Sequence, residues 1–305
     1  MKPLISIIIP NYNRGHLLMD VLDSVINQTY QPIEIIVIDD KSTDNSIEIV
    51  QKLQESIPNL FLIQQEINSG ANACRNLGVA HAKGEFIAFL DSDDYFLPTK
   101  LEKQMDIFNL YPEIGFVVTG FDAKTVQVLS EGIIPLKETI LQNNLGGFST
   151  LIVKKHLFNQ VGGLDIQLLS CQDWDLFLKL LTICKGYKLA ENLVIYEAQE
   201  DSISKNITKV IQGYKIVSER ARALNNTLQL IPEHNLIAYH EYYLAMRYFG
   251  LKEIKLTRKH LLKSITTRPK PIPLLYYIVS LFGASSLSLL LKTKRQLLTN
   301  HSKQD

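Results

Sequence analysis

Apolar and polar positions alternate in blocks along the first third of the chain. Continuous apolar runs at 4–9, 33–38, 60–63 and 85–90 are typical of buried strands, and the segments between them repeat apolar residues at helical spacing. The predicted helices cover 17–26, 44–55, 70–82 and 98–110. Strands that alternate with helices predict a parallel sheet joined by right-handed crossovers. The fold class is therefore α/β, with a Rossmann-like and mostly parallel sheet.

The pattern becomes less regular after residue 110. The predicted strands are 114–119, 149–153 and 189–196. A strongly apolar segment predicts a helix over 172–186, and the glycine-rich stretch 120–147 indicates a loop. From about 204 onward the spacing is helical alone. The helices expected there cover 207–224, 233–249 and 252–265.

Polar clusters follow the first, second and fourth strands at the point where each strand ends. Asp39 and Asp40 follow the second strand, and the fourth runs directly into Asp91, Asp93 and Asp94. Because the carboxyl ends of parallel strands meet at one edge of a sheet, we expect one ligand pocket there. Three carboxylates this close repel one another unless they share a cation, and Mg²⁺ or Mn²⁺ suits such ligands. The alternative is a solvated loop whose acids cap the next helix.

Composition and charge narrow the function classes. The chain has 305 residues and a formal net charge of +1, so the overall charge does not point to a nucleic-acid partner. Its three cysteines, Cys74, Cys171 and Cys184, lack metal-ligand spacing and are typical of reduced thiols in an intracellular protein. The first apolar run is too short for a signal peptide, so we expect the N-terminal part to be cytoplasmic.

One apolar segment, 272–291, contains no charged residue and has about the length that spans a bilayer. Lys270 precedes it and Lys292 and Lys294 follow it, so the flanking charges give no orientation. A proline, a glycine and four serines lower its hydrophobicity. We expect an interfacial or re-entrant anchor, or a helix pair packed on the first domain, rather than a spanning helix. The basic flanks favour peripheral contact with the anionic inner face of the cell membrane.

Five motifs, in their order and spacing, resemble those of family 2 glycosyltransferases of the GT-A fold. They are Ser6-Ile7-Ile8-Ile9-Pro10-Asn11-Tyr12-Asn13-Arg14, Val37-Ile38-Asp39-Asp40-Lys41-Ser42-Thr43-Asp44, Asn68-Ser69-Gly70 through Arg75-Asn76, Leu90-Asp91-Ser92-Asp93-Asp94 and Gln172-Asp173-Trp174-Asp175-Leu176. The resemblance covers about residues 1–200. It implies a GT-A domain over 1–203, with a nucleotide-sugar-binding half at 1–110 and an acceptor half at 111–203. A helical C-terminal region at 204–305 follows it.

The resemblance implies a nucleotide-diphosphate sugar donor, usually UDP-linked, bound with Mn²⁺ or Mg²⁺. The positions that match the family's donor site are Pro10, Tyr12, Asn13, Asp40, Arg75, Asp91 and Ser92. Asp40 corresponds to the carboxylate that hydrogen-bonds the uracil, which leaves a structural role for Asp39. Asp91 corresponds to the acid towards the ribose. Asp93, at the end of the Asp-x-Asp motif, corresponds to the metal ligand.

The resemblance also assigns the catalytic base to Asp173, which would take the proton of the acceptor hydroxyl. Asp175 cannot share that role, because residues two apart do not share a helix face. Gln172 stands where many members have Glu, and Lys179 where Arg is common. The Gln-x-x-Arg-Trp sequence of processive synthases does not occur. We therefore expect an inverting transferase that adds a single sugar to a glycan or lipid-linked acceptor, in surface polysaccharide synthesis.

Two alternatives stay open at this point. The chain could be a non-catalytic nucleotide-sugar-binding protein of the same fold, although the intact Asp91, Asp93 and Asp173 argue against a decayed site. It could also be another phosphate-handling enzyme, such as a nucleotidyltransferase or a dehydrogenase. No Gly-x-Gly-x-x-Gly or Walker sequence follows a predicted strand, which weakens that second alternative.

Overall fold

The computed structural model describes residues 2–122, 130–197 and 205–291 of the chain. The chain divides into two compact units, Met1–Ser202 and Ile203–Asp305. In the described residues, the first unit combines a β-sheet with helices, and the second unit is helical.

The described part of the first unit contains a nine-stranded sheet. Its strands are β1 Ile5–Asn11, β2 Ile33–Asp39, β3 Leu60–Gln64, β4 Phe86–Phe89, β5 Asp94–Phe96, β6 Ile114–Asp122, β7 Gly132–Ile133, β8 Leu151–Lys154 and β9 Lys185–Tyr196. Their order is β3-β2-β1-β4-β8-β6-β9-β5, and β7 pairs with β9. Strands β3, β2, β1 and β4 pair in parallel, as do β6 and β9, whereas β8 and β5 run antiparallel to their neighbours. The α/β fold class with a mostly parallel sheet is confirmed.

Helices cover both faces of this sheet. They are α1 Gly15–Ile26, α2 Ser46–Gln54, α3 Ala71–His81, α4 Lys100–Leu110, α5 Leu136–Leu141, α6 Lys155–Gln160 and α7 Gln172–Leu181. In β1, Ile7 and Ile9 belong to one apolar core, whereas Ile8 belongs to the core on the opposite face. A strand buried on both faces is apolar at successive positions, and this explains why the apolar runs identify it.

The structure differs from the sequence prediction at three places after the acidic stretch begins. Strand β5 begins at the last acid of that stretch, Asp94, and pairs with the end of β9, a non-local pairing that no local pattern indicates. The strand predicted over 149–153 begins only at Leu151, because Phe148–Thr150 form a 3₁₀ turn. The loop predicted over 120–147 contains β7 and α5.

The boundary between α7 and β9 is also earlier than predicted. The helix predicted over 172–186 ends at Leu181, and the strand predicted from 189 begins at Lys185. Lys185 and Gly186 pair with Ile114 and Phe116 of β6, so tertiary strand pairing overrides the apolar helical spacing there.

The second unit contains the helices that the sequence predicts from 207, 233 and 252, and one more. They are α8 Ile207–Leu228, α9 Glu233–Gly250, α10 Ile254–Thr267 and α11 Pro271–Leu281, and residues 284–291 are also helical. The apolar segment 272–291 is thus two helical stretches, interrupted at Gly283, whose φ is +104°. Among the described residues, none of the helices is both long enough and apolar enough to cross a membrane.

Candidate active site

Asp39 joins the carboxyl ends of β1 and β2. The parallel register places Asn11 beside Asp39, and Nδ2 of Asn11 donates to Oδ2 of Asp39 at 2.9 Å. The other carboxylate oxygen accepts the backbone N–H of Ser42 at 2.8 Å. Asp39 is buried. Its carboxylate is therefore used to hold the turn after β2 against β1.

Asp40, the next residue, holds the chain that leads into α3. Its Oδ1 accepts the backbone N–H of Ser69 at 2.7 Å, and its Oδ2 accepts that of Gly70 at 2.8 Å. The side chain of Gln65 donates to Oδ1 at 3.1 Å. Gly70 has a φ of +86°, a left-handed backbone conformation that favours glycine. The predicted contact between Asp40 and a uracil ring stays a prediction, and it would use the lone pairs that these bonds leave open.

Pro10, Tyr12 and Asn13 lie at the end of β1 and in the loop before α1. Pro10 is a buried residue of the strand, whereas Tyr12 is exposed. Asn13 has a φ of +52°, and its Oδ1 accepts the backbone N–H of Thr43 at 2.7 Å. The loop after β1 is therefore tied to the loop after β2, with an aromatic ring open to solvent beside it.

An ion pair between Arg75 and Asp91 joins α3 to the end of β4. Nη2 of Arg75 lies 2.5 Å from Oδ1 of Asp91, and the two side chains are 7% and 34% exposed. The guanidinium carbon is 4.1 Å from the ring centre of Phe148, a cation–π contact. One buried cation thus neutralises one acid of the Asp91–Asp94 stretch.

Ser149 supports both ends of that acidic stretch. Its hydroxyl oxygen accepts the backbone N–H of Asp91 at 3.1 Å, and its hydroxyl donates to Oδ2 of Asp94 at 2.6 Å. Burial, and then the charge of Asp91, raise the pKa of Asp94 to about 9. Burial and the neighbouring acid thus disfavour the charged form of Asp94, and its hydrogen bond to Ser149 packs β5 against the 3₁₀ turn.

The role of Asp93 as a metal ligand stays a prediction. Ser92 is buried and Asp93 is partly exposed, in the turn between β4 and β5. Within the described residues, no three His, Cys, Asp or Glu side chains are grouped so as to hold a metal ion. The acids on either side of Asp93 are engaged by Arg75 and Ser149. The partly exposed carboxylate of Asp93 could hold Mg²⁺ or Mn²⁺ only together with further oxygen ligands, such as the phosphates of a bound molecule.

Asp173, at the second position of α7, is the partly exposed acid beside this cluster. Its Oδ1 accepts the backbone N–H of Trp174 at 2.7 Å, and its Oδ2 accepts from Nδ2 of Asn143 at 2.9 Å. Desolvation raises the pKa of Asp173 to about 6, against the lowering effects of the Trp174 N–H and the Arg75 charge. A carboxyl group with this pKa is ionised at neutral pH and is more basic than an ordinary aspartate.

The start of α7 is fixed from several sides. Cys171, just before the helix, has a φ of +61°, a left-handed conformation that is uncommon outside glycine. The Trp174 indole is buried and donates to a backbone carbonyl of α5 at 2.6 Å. Asp175 pairs with Lys179 at 2.8 Å, one turn along the helix. Asp175 is thus occupied elsewhere, as helix geometry predicts, while Asp173 faces the cluster.

The predicted site residues are partly brought together. Arg75 and Asp91 are in contact, and the charges of both influence the pKa of Asp173. Asp40 lies at the N-terminal end of α3, the helix that carries Arg75. The roles assigned to all these residues towards a ligand stay predictions.

Sequence reasoning missed Asn143, Phe148 and Ser149. They contact Asp173, Arg75 and the acidic stretch, but they come from a region that lacks any chemical motif. A local signal exists in the glycine pair at 146–147, which marks a tight turn. That signal locates the turn and says nothing of what its side chains touch.

Known proteins resemble this chain in sequence and in fold. A family model described as "Glycosyl transferase family 2" matches residues 6–155. An uncharacterized glycosyltransferase of Haemophilus influenzae is 31% identical over 231 residues, 71% of this chain and 76% of that protein. The putative teichuronic acid biosynthesis glycosyltransferase TuaG of Bacillus subtilis is 32% identical over 219 residues, 67% of this chain and 83% of that protein.

A third relative is named with a donor and an acceptor. It is the UDP-Glc:alpha-D-GlcNAc-diphosphoundecaprenol beta-1,3-glucosyltransferase WfaP of Escherichia coli, 32% identical over 216 residues, 67% of this chain and 80% of that protein.

Two solved structures show the same fold. S. aureus TarS 1-349 in complex with UDP-GlcNAc matches 88% of this chain and 82% of its own length, with a TM-score of 0.67 and 20% identity. The mannosyltransferase PcManGT of Pyrobaculum calidifontis, in complex with GDP-Man and Mn²⁺, matches 97% of this chain and 81% of its own length, with a TM-score of 0.65 and 18% identity.

Proposed function

Because the chain belongs to glycosyl transferase family 2 and is a glycosyltransferase, we propose that it adds a single sugar to a saccharide acceptor with inversion at the anomeric carbon. The observation that carries the proposal is Asp173. It is a partly exposed acid with a pKa raised to about 6, held by Asn143 and adjoining the Arg75–Asp91 pair. A base that must take a proton near neutral pH needs this combination of access, orientation and basicity.

The proposed donor is a nucleotide-diphosphate sugar, UDP-linked in the first instance. WfaP is named for UDP-glucose, and TarS binds UDP-GlcNAc, whereas PcManGT binds GDP-mannose, so the GDP-linked class belongs in the same test. The nucleobase would be surrounded by residues that lie on the ends of β1 and β2 and in the loops that follow: Pro10, Tyr12, Asn13 and Asp40. The exposed ring of Tyr12 can stack on a nucleobase.

The sugar-phosphate end of the donor would lie at the end of β4, against Arg75, Asp91 and Ser92. Asp93 would hold Mn²⁺ or Mg²⁺ together with the diphosphate, since such ions are commonly bound by one or two carboxylates and substrate phosphates. When bound, such an ion offsets the negative charge that develops on the leaving diphosphate. Arg75 keeps Asp91 paired, which limits repulsion between that acid and the phosphates.

The reaction is a single displacement. The acceptor hydroxyl oxygen forms a bond to the anomeric carbon as the bond from that carbon to the diphosphate oxygen breaks, and the nucleoside diphosphate leaves with the bonding electrons. Asp173 accepts the proton of the hydroxyl as the attack proceeds. Asn143 fixes the orientation of the carboxylate through Oδ2. The attack comes from the side opposite the leaving group, so the configuration at the anomeric carbon inverts.

The proposed acceptor is a growing glycan or a lipid-linked saccharide, used for a surface polysaccharide. TuaG is named for teichuronic acid biosynthesis, and WfaP for a diphosphoundecaprenol-linked acceptor. Both relatives align with about two thirds of this chain, and both supply support for the class of acceptor rather than for a particular sugar.

Donor binding is the first test. UDP-sugars and GDP-sugars are titrated with and without Mn²⁺, and the unfolding temperature is followed for the wild type, Asp93→Ala and Asp173→Asn. Asp106→Ala, which removes an exposed acid of α4, is the matched control. We expect metal-dependent stabilisation by one nucleotide sugar, lost in Asp93→Ala and kept in both other variants.

Different failures remove different parts of the proposal. No response of the wild type to any nucleotide sugar contradicts the transferase function itself. Binding that is independent of metal removes the role of Asp93 alone. Donor binding together with unchanged sugar transfer by Asp173→Asn shows that another group is the base.

A further inference from the structure

The near-zero net charge of the protein conceals a separation of charge along the chain. Residues 203–305 contain 17 Lys and Arg but five Asp and Glu, a net charge of +12. Residues 1–202 consequently carry a net charge of −11. The helical unit is thus a strongly basic body, and basic bodies are attracted to anionic surfaces.

Helix α11 presents an apolar face to solvent within this basic unit. Every exposed residue from 271 to 282 is apolar. The large side chains among them, here called the α11 face, are Ile272, Leu274, Leu275, Ile278, Leu281 and Phe282. Phe282 is 78% exposed, the largest value among the described large apolar residues. Soluble proteins rarely expose contiguous apolar surface of this kind unless it binds something.

The opposite side of α11 is fixed to the rest of the unit, which keeps the α11 face outward. Tyr276 is buried in a small core with Ala245 of α9 and Leu261 of α10. Nε of Arg258 donates to the carbonyl oxygen of Ser280 at 3.2 Å, and its Nη2 donates to the same oxygen. The last turn of the helix is therefore held to α10 by a charge-assisted bond.

We propose that the helical unit docks on the surface of an anionic phospholipid bilayer through the α11 face. The apolar side chains would enter the boundary between headgroups and acyl chains, with the helix parallel to the membrane plane. Arg268 and Lys270, both exposed, directly precede α11 and would contact the anionic headgroups. A helix of 11 residues is about 16 Å long, roughly half the thickness of a hydrocarbon core, so it suits the interface and not a span.

Charge favours a lipid surface over a second copy of the chain. A symmetric pair of copies would bring two α11 faces together and, with them, two units of net charge +12. An anionic bilayer instead attracts each basic side chain that lies near its surface. The docking proposal does not depend on the identity of donor or acceptor, so it can fail while the transferase function stands.

Vesicle sedimentation with the full chain tests the proposal. The protein is mixed with vesicles of pure phosphatidylcholine or of phosphatidylcholine with phosphatidylglycerol, and the bound fraction is measured. We expect binding to the vesicles that contain phosphatidylglycerol, with weaker binding at high salt. Phe282→Glu removes one anchoring ring and introduces a negative charge, so binding should weaken about tenfold or more.

Matched variants distinguish the contribution of the α11 face to vesicle binding from non-specific apolar adsorption and from the contribution of the basic flank. Leu110→Glu changes a residue of α4 that is 66% exposed, and its vesicle binding should equal that of the wild type. The double variant Arg268→Glu, Lys270→Glu should weaken binding to anionic vesicles about tenfold and leave binding to pure phosphatidylcholine unchanged. Circular dichroism shows that each variant is folded.

Three results would overturn the proposal. The wild type could fail to bind anionic vesicles, or Phe282→Glu could bind as tightly as Leu110→Glu. Light scattering could also show a dimer of the wild type that Phe282→Glu abolishes, without vesicle binding by either protein. That last result identifies a second copy of the chain as the occupant of the α11 face.

Discussion

The acids at the end of β2 and the acids that follow β4 occupy equivalent places in the sheet, but their carboxylates are hydrogen-bonded and charge-balanced in different ways. Asp39 accepts one backbone N–H and one side-chain amide, and Asp40 accepts two backbone N–H groups, so both carboxylate oxygens of each residue are bonded. Asp91 is held by one guanidinium, and Asp94 accepts from the Ser149 hydroxyl and the backbone of Glu197, yet burial and the charge of Asp91 raise its pKa to about 9. The first pair is therefore built into the fold, whereas the second group carries electrostatic repulsion that a ligand can relieve.

This difference separates two kinds of polar strand end. A carboxylate whose two oxygens are already bonded to the backbone stabilises loops, and its loss weakens the protein. A carboxylate whose burial and acidic neighbours outweigh its hydrogen bonds costs stability when it is ionised and becomes useful when a cation or a proton arrives. Asp173 accepts a hydrogen bond at each oxygen, but desolvation still raises its pKa to about 6, so it belongs to the second kind. Substitutions at the two strand ends should accordingly affect different measurements.

The largest effect is expected from Asp173→Asn. Loss of the proposed base should lower kcat/KM by about 10²–10⁴-fold in a sugar-transfer assay. The folded pKa of Asp173 is raised above the ordinary value of about 3.9, so ionisation between about pH 4 and pH 6 costs stability. An uncharged amide avoids that cost, but its NH₂ group then faces the amide of Asn143 or the N–H of Trp174, so the two effects oppose each other and the unfolding temperature at pH 7 should change little. Asp106→Asn, at an exposed position on α4, should change neither value.

A comparison of Asp40→Asn with Asp91→Asn should give the next largest effect, on stability. The amide at position 40 can accept at one oxygen, and its NH₂ group then faces a backbone N–H. We therefore expect the free energy of unfolding to fall by about 1–3 kcal/mol. The amide at position 91 keeps the single acceptor that Arg75 uses, and that site is a third exposed, so we expect about 1 kcal/mol or less. Urea unfolding measures both, and a greater loss at position 91 would reverse the distinction between the strand ends.

The pH dependence of transfer should follow the ionisation of Asp173. A general base is active when it is ionised, so kcat/KM should fall about tenfold per pH unit below about pH 6 and level off above it. Residual transfer by Asp173→Asn should lack this acid limb. A wild-type limb near pH 4 instead would show that burial does not raise the pKa of the group in the working enzyme.

The smallest effect is expected from Asn143→Ala. The Asn143 amide donates to the carboxylate at 2.9 Å and so favours its ionised form. Without it, the midpoint of the acid limb should move to higher pH by less than about one unit, with donor KM unchanged. Asn144→Ala, at the next position of the chain, is the matched control. A downward shift, or none, would contradict the orienting role of Asn143.

The parts of the fold that the sequence predicted are those with a local cause. Strands β1, β2 and β4 are apolar at successive positions because both faces of the sheet are covered, and that pattern is visible in a single strand. Strand β5 was missed because three residues, Asp94–Phe96, become a strand through pairing with Val194–Tyr196, far along the chain. No window around position 94 contains that information.

The site divides in the same way. Asp40, Asp91 and Asp173 stand in motifs and could be named from the sequence. Asn143 and Ser149 could not, because what matters is which oxygen or nitrogen they reach, and this depends on how α5 and the 3₁₀ turn pack. Supporting residues of a site are ordinary polar residues until the fold places them.

The ion pair between Arg75 and Asp91 also limits how this protein can change over generations. Loss of Arg75 alone leaves an acid facing its acidic neighbours without a cation, and replacement of Asp91 by a residue that cannot accept a hydrogen bond leaves the almost fully enclosed guanidinium without its carboxylate. Either single step passes through a weakened ancestor, so a lineage is expected to keep both residues or exchange both. Asp40 has more freedom in its partners, since the N–H groups of Ser69 and Gly70 survive most substitutions there. We therefore expect positions 75 and 91 to covary among related sequences. Positions 40 and 69 should show no matching covariation.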